Sequence, residues 1–193
     1  MIKINKDITN ISFYSCQPKT HLELKKIIQQ RIKQEGAECD LNDIDVSLIT
    51  DMSDLFHDSD FNGDISKWNM SNVGNMNRMF FRSKFNKDIS KWDVSKVFSM
   101  IQTFCKSDFN GDISRWNTSN VKFMHGMFAR AEFNQDISKW DVNDASDMYG
   151  MFDLSKFNKD ISNWKIREDC NTNYIFDKCP IKEEYKPKSL QQK

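Results

Sequence analysis

Five aspartates in register are the first candidates for chemistry in this 193-residue sequence. They recur at a fixed interval, as Asp64, Asp88, Asp112, Asp136 and Asp160. Aligned carboxylates are ligands that Ca²⁺ prefers, so the column raises the possibility of a calcium site. Repeat loops that bind calcium are rich in glycine, however, and this chain has six glycines in all. We therefore expect each aspartate to accept backbone N–H groups at a turn, and we predict no metal and no cofactor.

A second column is basic and would suit phosphate or RNA if it stood alone. It comprises Lys67, Lys91, Arg115 and Lys139. Each basic residue is followed by a tryptophan and then by Asn69, Asp93, Asn117 or Asp141, respectively. Polar or acidic side chains thus accompany the basic ones, as on a solvated surface. The chain has 28 Lys and Arg residues against 28 Asp and Glu residues, so net charge gives no bulk attraction to nucleic acid. We therefore do not expect nucleic acid as a partner.

Catalytic constellations are not apparent in the sequence. The three histidines, His21, His57 and His125, have no cysteine or carboxylate at ligand spacing. The motifs HExxH, GxxxxGK[ST] and GxSxG do not occur. We therefore predict that the chain is not an enzyme, and that its functional residues bind a partner.

These residues recur at equivalent positions because one sequence motif repeats along the chain without an insertion. FNGDISKWNMSNV begins at Phe61, and close copies begin at Phe85, Phe109, Phe133 and Phe157. A worn copy, CDLNDIDVSLITDMSDLF, precedes them, which gives six repeats over residues 37–180. A fixed period in the twenties is typical of units that bury their apolar faces only against their neighbours. We expect equivalent side chains to lie directly above one another.

Two apolar spacings within each repeat predict its elements. Ile65, Trp68 and Met70 match the strand pattern LxxLxL. Val73, Met76, Met79 and Phe80 then follow helical spacing. The predicted N-caps of these helices are Ser71, Ser95, Ser119 and Asn143. The predicted fold class is therefore α/β: a leucine-rich-repeat-like solenoid of about six 24-residue coils, with a parallel sheet on one face, short helices on the other and an N-terminal capping helix.

We divide the chain into an N-terminal segment and capping helix (1–36), the repeat solenoid (37–180) and a charged C-terminal tail expected to fray (181–193). Alternating Ile2, Ile4, Ile11 and Phe13 leave strand and irregular structure equally open for residues 1–16. The helix is predicted from a capping box at Thr20 and Glu23 and from Gly36 at its end. Its apolar stripe comprises Leu24, Ile27, Ile28 and Ile32.

The repeat resembles that of the BspA-like leucine-rich-repeat family, whose consensus is similar to FNxDISxWDVSNVxxMxxMF. The likeness covers residues 37–180. The family is usually labelled as bacterial surface protein or lipoprotein, so the resemblance implies adhesion or partner binding. The opening MIKINKDITNISFYSC lacks the apolar stretch of a signal peptide, so we expect a form without an export signal.

Five scattered cysteines without a CxxC pair favour a reducing compartment over a disulfide framework. No apolar run approaches the roughly 20 residues of a membrane span. We expect a cytoplasmic protein without a membrane span; the alternative is a cell-surface or secreted protein without a recognisable signal.

Positions that vary between repeats are the candidate binding residues, because recurring positions are explained by stacking. Phe98 stands where other repeats have Gly74, Lys122 and Ser146, and Phe123 replaces Asn75, Ser99 and Asp147. We expect a partner-binding patch on the helix side of the central repeats. Its predicted members are Phe81, Phe98, Ile101, Phe123, His125 and Tyr149. The alternative is that these are scattered exposed apolar residues without a function.

Taken together, the sequence predicts a non-enzymatic repeat scaffold that recognises another protein through a rigid surface. A second possibility is a small inhibitor or effector, for example an anti-defence protein, that docks on one enzyme or nucleoprotein complex and blocks it. A third is self-association through the ends of the solenoid. A stoichiometric complex that suppresses an activity would identify the second, and light scattering against concentration would identify the third.

Overall fold

The computed structural model describes residues 14–191. The strands considered around Ile2, Ile4, Ile11 and Phe13 lie outside this range. Within these residues one α-helix, α1, spans His21–Glu35, and two short 3₁₀ helices span Glu183–Tyr185 and Lys188–Leu190. Over the described residues the rest of the chain consists of turns, bends, irregular segments and isolated parallel bridges.

The predicted α/β solenoid with a parallel sheet and short helices is therefore wrong. Neighbouring repeats are joined by single-residue bridges between equivalent positions, and no extended strand forms in the described range. The main series of bridges runs Asp51–Asn75, Asn75–Ser99, Ser99–Phe123, Phe123–Asp147 and Asp147–Asn171.

Left-handed residues replace the predicted helices. Arg78 and Arg82 have φ values of 56° and 54°, and equivalent positions of the other repeats are also positive. Residues with positive φ interrupt an α-helix. The backbone N–H groups of this segment instead donate to carbonyl oxygens of the next repeat. In the repeat at 61–84, four donate at 2.8–2.9 Å: Met76 to Ser99, Arg78 to Ile101, Phe80 to Thr103 and Arg82 to Cys105. Consecutive turns thus reproduce the apolar spacing that we interpreted as helical.

Turns also replace the predicted strands. The N–H of Trp68 donates to the carbonyl of Ile65 at 3.2 Å, which folds the LxxLxL segment back on itself. Ser71 is not a helix N-cap, because its N–H and hydroxyl both donate to Oδ1 of Asn69, at 3.1 and 2.7 Å. Short polar side chains favour such local bonds, and here they stabilise a turn in place of a strand or helix.

The expected stacking of equivalent side chains is confirmed. The indole rings of Trp68, Trp92, Trp116 and Trp140 follow one another with centroids 6.4 Å apart. Two columns of phenylalanines stack beside them, for example Phe80 on Phe104 at 5.5 Å. The core is therefore a continuous column, because each repeat covers the apolar side chains of the next.

Residues from both ends of the chain cover the stack. Helix α1 begins with the Thr20 side chain accepting the N–H of Glu23 at 3.2 Å. Gly36 follows the last residue of α1 with φ of 94°, and Leu24 and Ile28 of the helix are buried in the core. At the other end Ile181 is buried, so the described part of the tail packs on the last repeat and does not fray as we expected.

Candidate functional site

One shallow groove crosses the turn segments of successive repeats. It has a volume of about 360 Å³ and runs from the repeat at 61–84 to the repeat at 157–180. Its lining comes from positions that differ between repeats. The lining residues are Phe81, Gln102, Cys105, Lys106, His125, Gly126, Ala129, Arg130, Tyr149, Gly150, Asp153, Tyr174 and Asp177.

Small residues make room for the groove. Gly126 and Gly150 both have φ of 57°, which suits glycine. Yet Arg78, Gln102 and Tyr174 occupy the same column of other repeats with φ between 53° and 58°. The backbone therefore does not demand glycine here. The missing side chain leaves open space at Gly150, whereas at Gly126 a Cβ would come within 3.3 Å of the Gln102 side chain.

Aromatic rings form one part of the wall. The rings of His125 and Tyr149 stack with centroids 4.9 Å apart, and Tyr149 meets Tyr174 edge-on at 5.4 Å. Tyr149 is 36% exposed and Tyr174 64% exposed. Sequence reasoning missed Tyr174, although its column of Asp54, Arg78, Gln102, Gly126 and Gly150 varies enough to reveal it.

Phe81 marks the end of the groove nearest the N-terminus. Its ring lies 5.1 Å from the Arg78 guanidinium and 5.8 Å from the Lys106 ammonium. The ring of His57 packs against it at 5.0 Å. Cation–π contacts of this kind stabilise the packed position of the Phe81 ring.

Charge changes sign along the groove. Lys106 and Arg130 come from the repeats at 85–108 and 109–132, whereas Asp153 and Asp177 come from the two repeats that follow. In the middle, Nε of Arg130 lies 4.0 Å from Oδ2 of Asp153, a long and partly exposed ion pair that contributes little. The groove is consequently basic at one end and acidic at the other.

The Cys105 thiol in the groove is not activated as a nucleophile. Burial raises the pKa of the Cys105 thiol, which keeps it protonated and a poor nucleophile at neutral pH. Over residues 14–191, no group of three or more His, Cys, Asp or Glu side chains is placed to hold a metal ion. An aromatic wall and opposed charges are features of a binding surface.

The six predicted binding residues divide into two groups. Phe81, His125 and Tyr149 line the groove, whereas Phe98, Ile101 and Phe123 lie outside its lining. All six lie in turns, isolated bridges or irregular backbone, so their expected position on a helical side is wrong.

Phe98 and Phe123 form a separate exposed pair on neighbouring repeats. Their side chains are 49% and 38% exposed, and the N–H of Phe123 bonds to the Phe98 carbonyl at 3.3 Å. The Phe98 ring lies over Gly74, where an added Cβ would come within 3.0 Å of it. Each ring is thus half packed and half available to a partner.

The five aspartates at equivalent repeat positions each accept a backbone hydrogen bond that stabilises a turn. Oδ1 of Asp88 accepts the backbone N–H of Ser90 at 2.8 Å, and the other four aspartates do the same with the serine that stands in the equivalent place. Hydrogen bonds from the Ser90 hydroxyl and N–H hold the pKa of Asp88 below its ordinary value. The neighbouring asparagines link the repeats, as in the 2.9 Å bond from the N–H of Asn86 to Oδ1 of Asn62.

Within the described residues, no helix has the length and apolar character needed to cross a membrane.

Comparison with known proteins gives one family. A family model described as "Mycoplasma protein of unknown function, DUF285" matches the chain twice, over residues 23–108 and 83–186. No curated protein and no solved structure matches the chain. The two matches overlap and together cover the part of α1 that follows Leu22, all the repeats and the start of the tail. The chain therefore belongs to the DUF285 family of repeat proteins.

Proposed function

We propose that the chain is a non-enzymatic repeat scaffold that binds another protein through the face formed by its turn segments. One observation carries this proposal. Across the repeats, residues 37–180, the large apolar side chains that remain exposed are Leu48, Phe98, Phe123, Tyr149, Leu154 and Tyr174. All but Leu48 lie in the same stretch of the repeat, equivalent to residues 74–82, so these five share one face of the stack.

Clustering on one face argues against an incidental scatter of apolar residues. Exposed aromatic residues are favoured anchors of protein interfaces, and a stacked repeat loses little entropy when it binds. The resemblance of the repeat to BspA-like sequences, whose label implies adhesion, supports the same proposal. A cytoplasmic location remains a prediction from the cysteines, all five of which are free.

Capture of a partner by paired variants tests the proposal. The whole chain and its variants are immobilised and exposed to an extract of cells that express it, and retained proteins are identified by mass spectrometry. The variants Phe98→Ser with Phe123→Ser, and Tyr149→Ser with Tyr174→Ser, should lose a protein that the unmodified chain retains.

A matched control changes the other side of the repeat. Lys67→Ala with Lys91→Ala removes two exposed side chains that do not line the groove, and it should retain the partner. Retention by both aromatic variants, or loss by the lysine variant alone, would contradict the proposal. Activity assays on a captured enzyme would then distinguish a passive scaffold from an inhibitor.

A further inference from the structure

The two ends of the groove carry unneutralised charges of opposite sign. The Lys106 ammonium contacts the Phe81 ring, and no carboxylate among the described residues lies within ion-pair distance of it. The Asp177 carboxylate likewise has no side-chain partner in the described part of the chain. The two inner charges, Arg130 and Asp153, face each other, so the outer pair remains available to a ligand.

The separation of these charges fixes the size of the ligand. Lys106 and Asp177 are three repeat steps apart, and at about 4.8 Å a step they stand roughly 14 Å from each other. Extended peptide rises about 3.3 Å per residue, so roughly four or five residues span that distance. A free amino acid or a single phosphate cannot meet both charges at once.

Between the charged ends the groove is shaped for an apolar side chain. A Cβ added at Gly150 would meet nothing closer than the Asp153 Cβ at 3.7 Å, so there is open space above the backbone. Tyr149 and Tyr174 flank this space with exposed ring surface. An apolar side chain seated there would be covered on one side by aromatic carbon.

The charge order also excludes other polymers. A nucleic acid would bring phosphates against Asp153 and Asp177, and a purely basic peptide would meet Lys106 and Arg130. Only a segment of mixed charge is complementary along the whole groove.

From this complementarity we propose that the groove binds an extended peptide segment of the partner, with an acidic side chain at Lys106, an apolar side chain over Gly150, and a basic side chain at Asp177. This inference rests on the proposed protein-binding function and specifies its ligand. The peptide lies along the stack and crosses four repeats.

A random seven-residue peptide library displayed on phage, panned against the immobilised whole chain, tests the inference. Enriched sequences should place Asp or Glu four or five positions from Lys or Arg, in one fixed order, with an aromatic or aliphatic residue between them. Enrichment without that charge order, or no enrichment at all, would overturn the inference.

Charge reversal sharpens the test. For a synthetic copy of an enriched peptide, Lys106→Glu and Asp177→Lys should each weaken binding about tenfold, measured by fluorescence anisotropy. The double variant should instead prefer the peptide with its acidic and basic residues exchanged. Lys91→Glu, which changes the same charge outside the groove, should leave the affinity unchanged, and unaltered affinity in Lys106→Glu would refute the peptide site.

Filling the groove is an independent check. Gly150→Asn places a side chain in the opening, and asparagine tolerates the left-handed backbone better than most residues. Peptide affinity should fall about tenfold while the melting curve confirms folding; unchanged affinity would contradict the site. If the peptide site fails but the aromatic variants still lose the cellular partner, the proposed function stands without it.

Discussion

The indole Nε1 of Trp92 donates a hydrogen bond to the carbonyl oxygen of Ile65, 3.1 Å away in the preceding repeat. The same bond recurs one repeat later, from Trp116 to Ile89 at 3.1 Å. Each tryptophan therefore has two roles: its ring stacks on equivalent rings, and its N–H fixes the register of two repeats. A buried indole needs a partner for its N–H, and here the preceding repeat provides it.

Replacing one indole should separate the two roles. Trp92→Phe keeps an aromatic ring but removes the donor and some buried volume, so the free energy of unfolding should fall by about 1–3 kcal/mol. Urea denaturation followed by circular dichroism measures the change. Lys91→Ala at the exposed neighbouring position serves as the control and should change stability by less than about 0.5 kcal/mol. Equal effects of the two substitutions would contradict a register role for the indole.

The asparagine ladder makes a prediction that depends on one acceptor atom. Oδ1 of Asn86 accepts the backbone N–H of Asn110 at 2.9 Å. Asn86→Ala leaves that N–H without its partner and should lower stability by about 1 kcal/mol. Asn86→Asp retains an acceptor oxygen and should recover most of the loss in the same denaturation assay. If the alanine and aspartate variants are equally destabilised, the bond does not join the repeats as described.

Acid should lower the free energy of unfolding because it protonates the aspartates at the equivalent repeat positions. Hydrogen bonds hold the pKa values of Asp88 and Asp112 below their ordinary value, with the hydroxyl and N–H of Ser90 acting on the first. Because the folded pKa is lower than the unfolded value of about 3.9, this stability is present above that pH and lost as pH falls through the folded pKa. Urea midpoints should therefore be steady from about pH 7 to 5 and decline below about pH 4.

Asparagine provides the matched control for the acid effect. In the neighbouring column Asn69 accepts the same kind of turn bond as Asp88, without a titratable group. A triple variant, Asp88→Asn, Asp112→Asn and Asp136→Asn, should keep its turns and show a shallower loss of stability in acid. An unaltered pH profile in this variant would assign the acid sensitivity to other groups.

The exposed phenylalanine pair should be dispensable for folding. Phe98 and Phe123 are only partly buried, so Phe98→Ser with Phe123→Ser should lower the free energy of unfolding by about 1 kcal/mol per residue or less. Phe104 is fully buried between Phe80 and Phe128, and Phe104→Ala should cost about 3–5 kcal/mol. Calorimetric melting compares the two. A loss in the double variant as large as that in Phe104→Ala would place the pair in the core and remove it from the binding face.

The repeat period could be read from the sequence, but the secondary structure could not. The apolar spacing of Val73, Met76, Met79 and Phe80 fits a helix and a series of turns equally well, because both structures return a side chain to the same face after three or four residues. The turn solution depends on donors such as the N–H of Arg78 finding the Ile101 carbonyl of the next repeat. That bond joins residues almost a whole repeat apart, so no local pattern contains it.

The candidate site could likewise be read only in part from the sequence. Variation between repeats identified His125 and Tyr149, but it did not reveal that Tyr174 and the two central glycines complete one groove with them.

By itself, the sequence determined that equivalent side chains stack, because a short repeated unit with one apolar face can bury it only against its neighbours. Only the tertiary structure decided how the backbone turns and which variable positions meet. Both depend on hydrogen bonds and contacts that form only after the repeats are stacked.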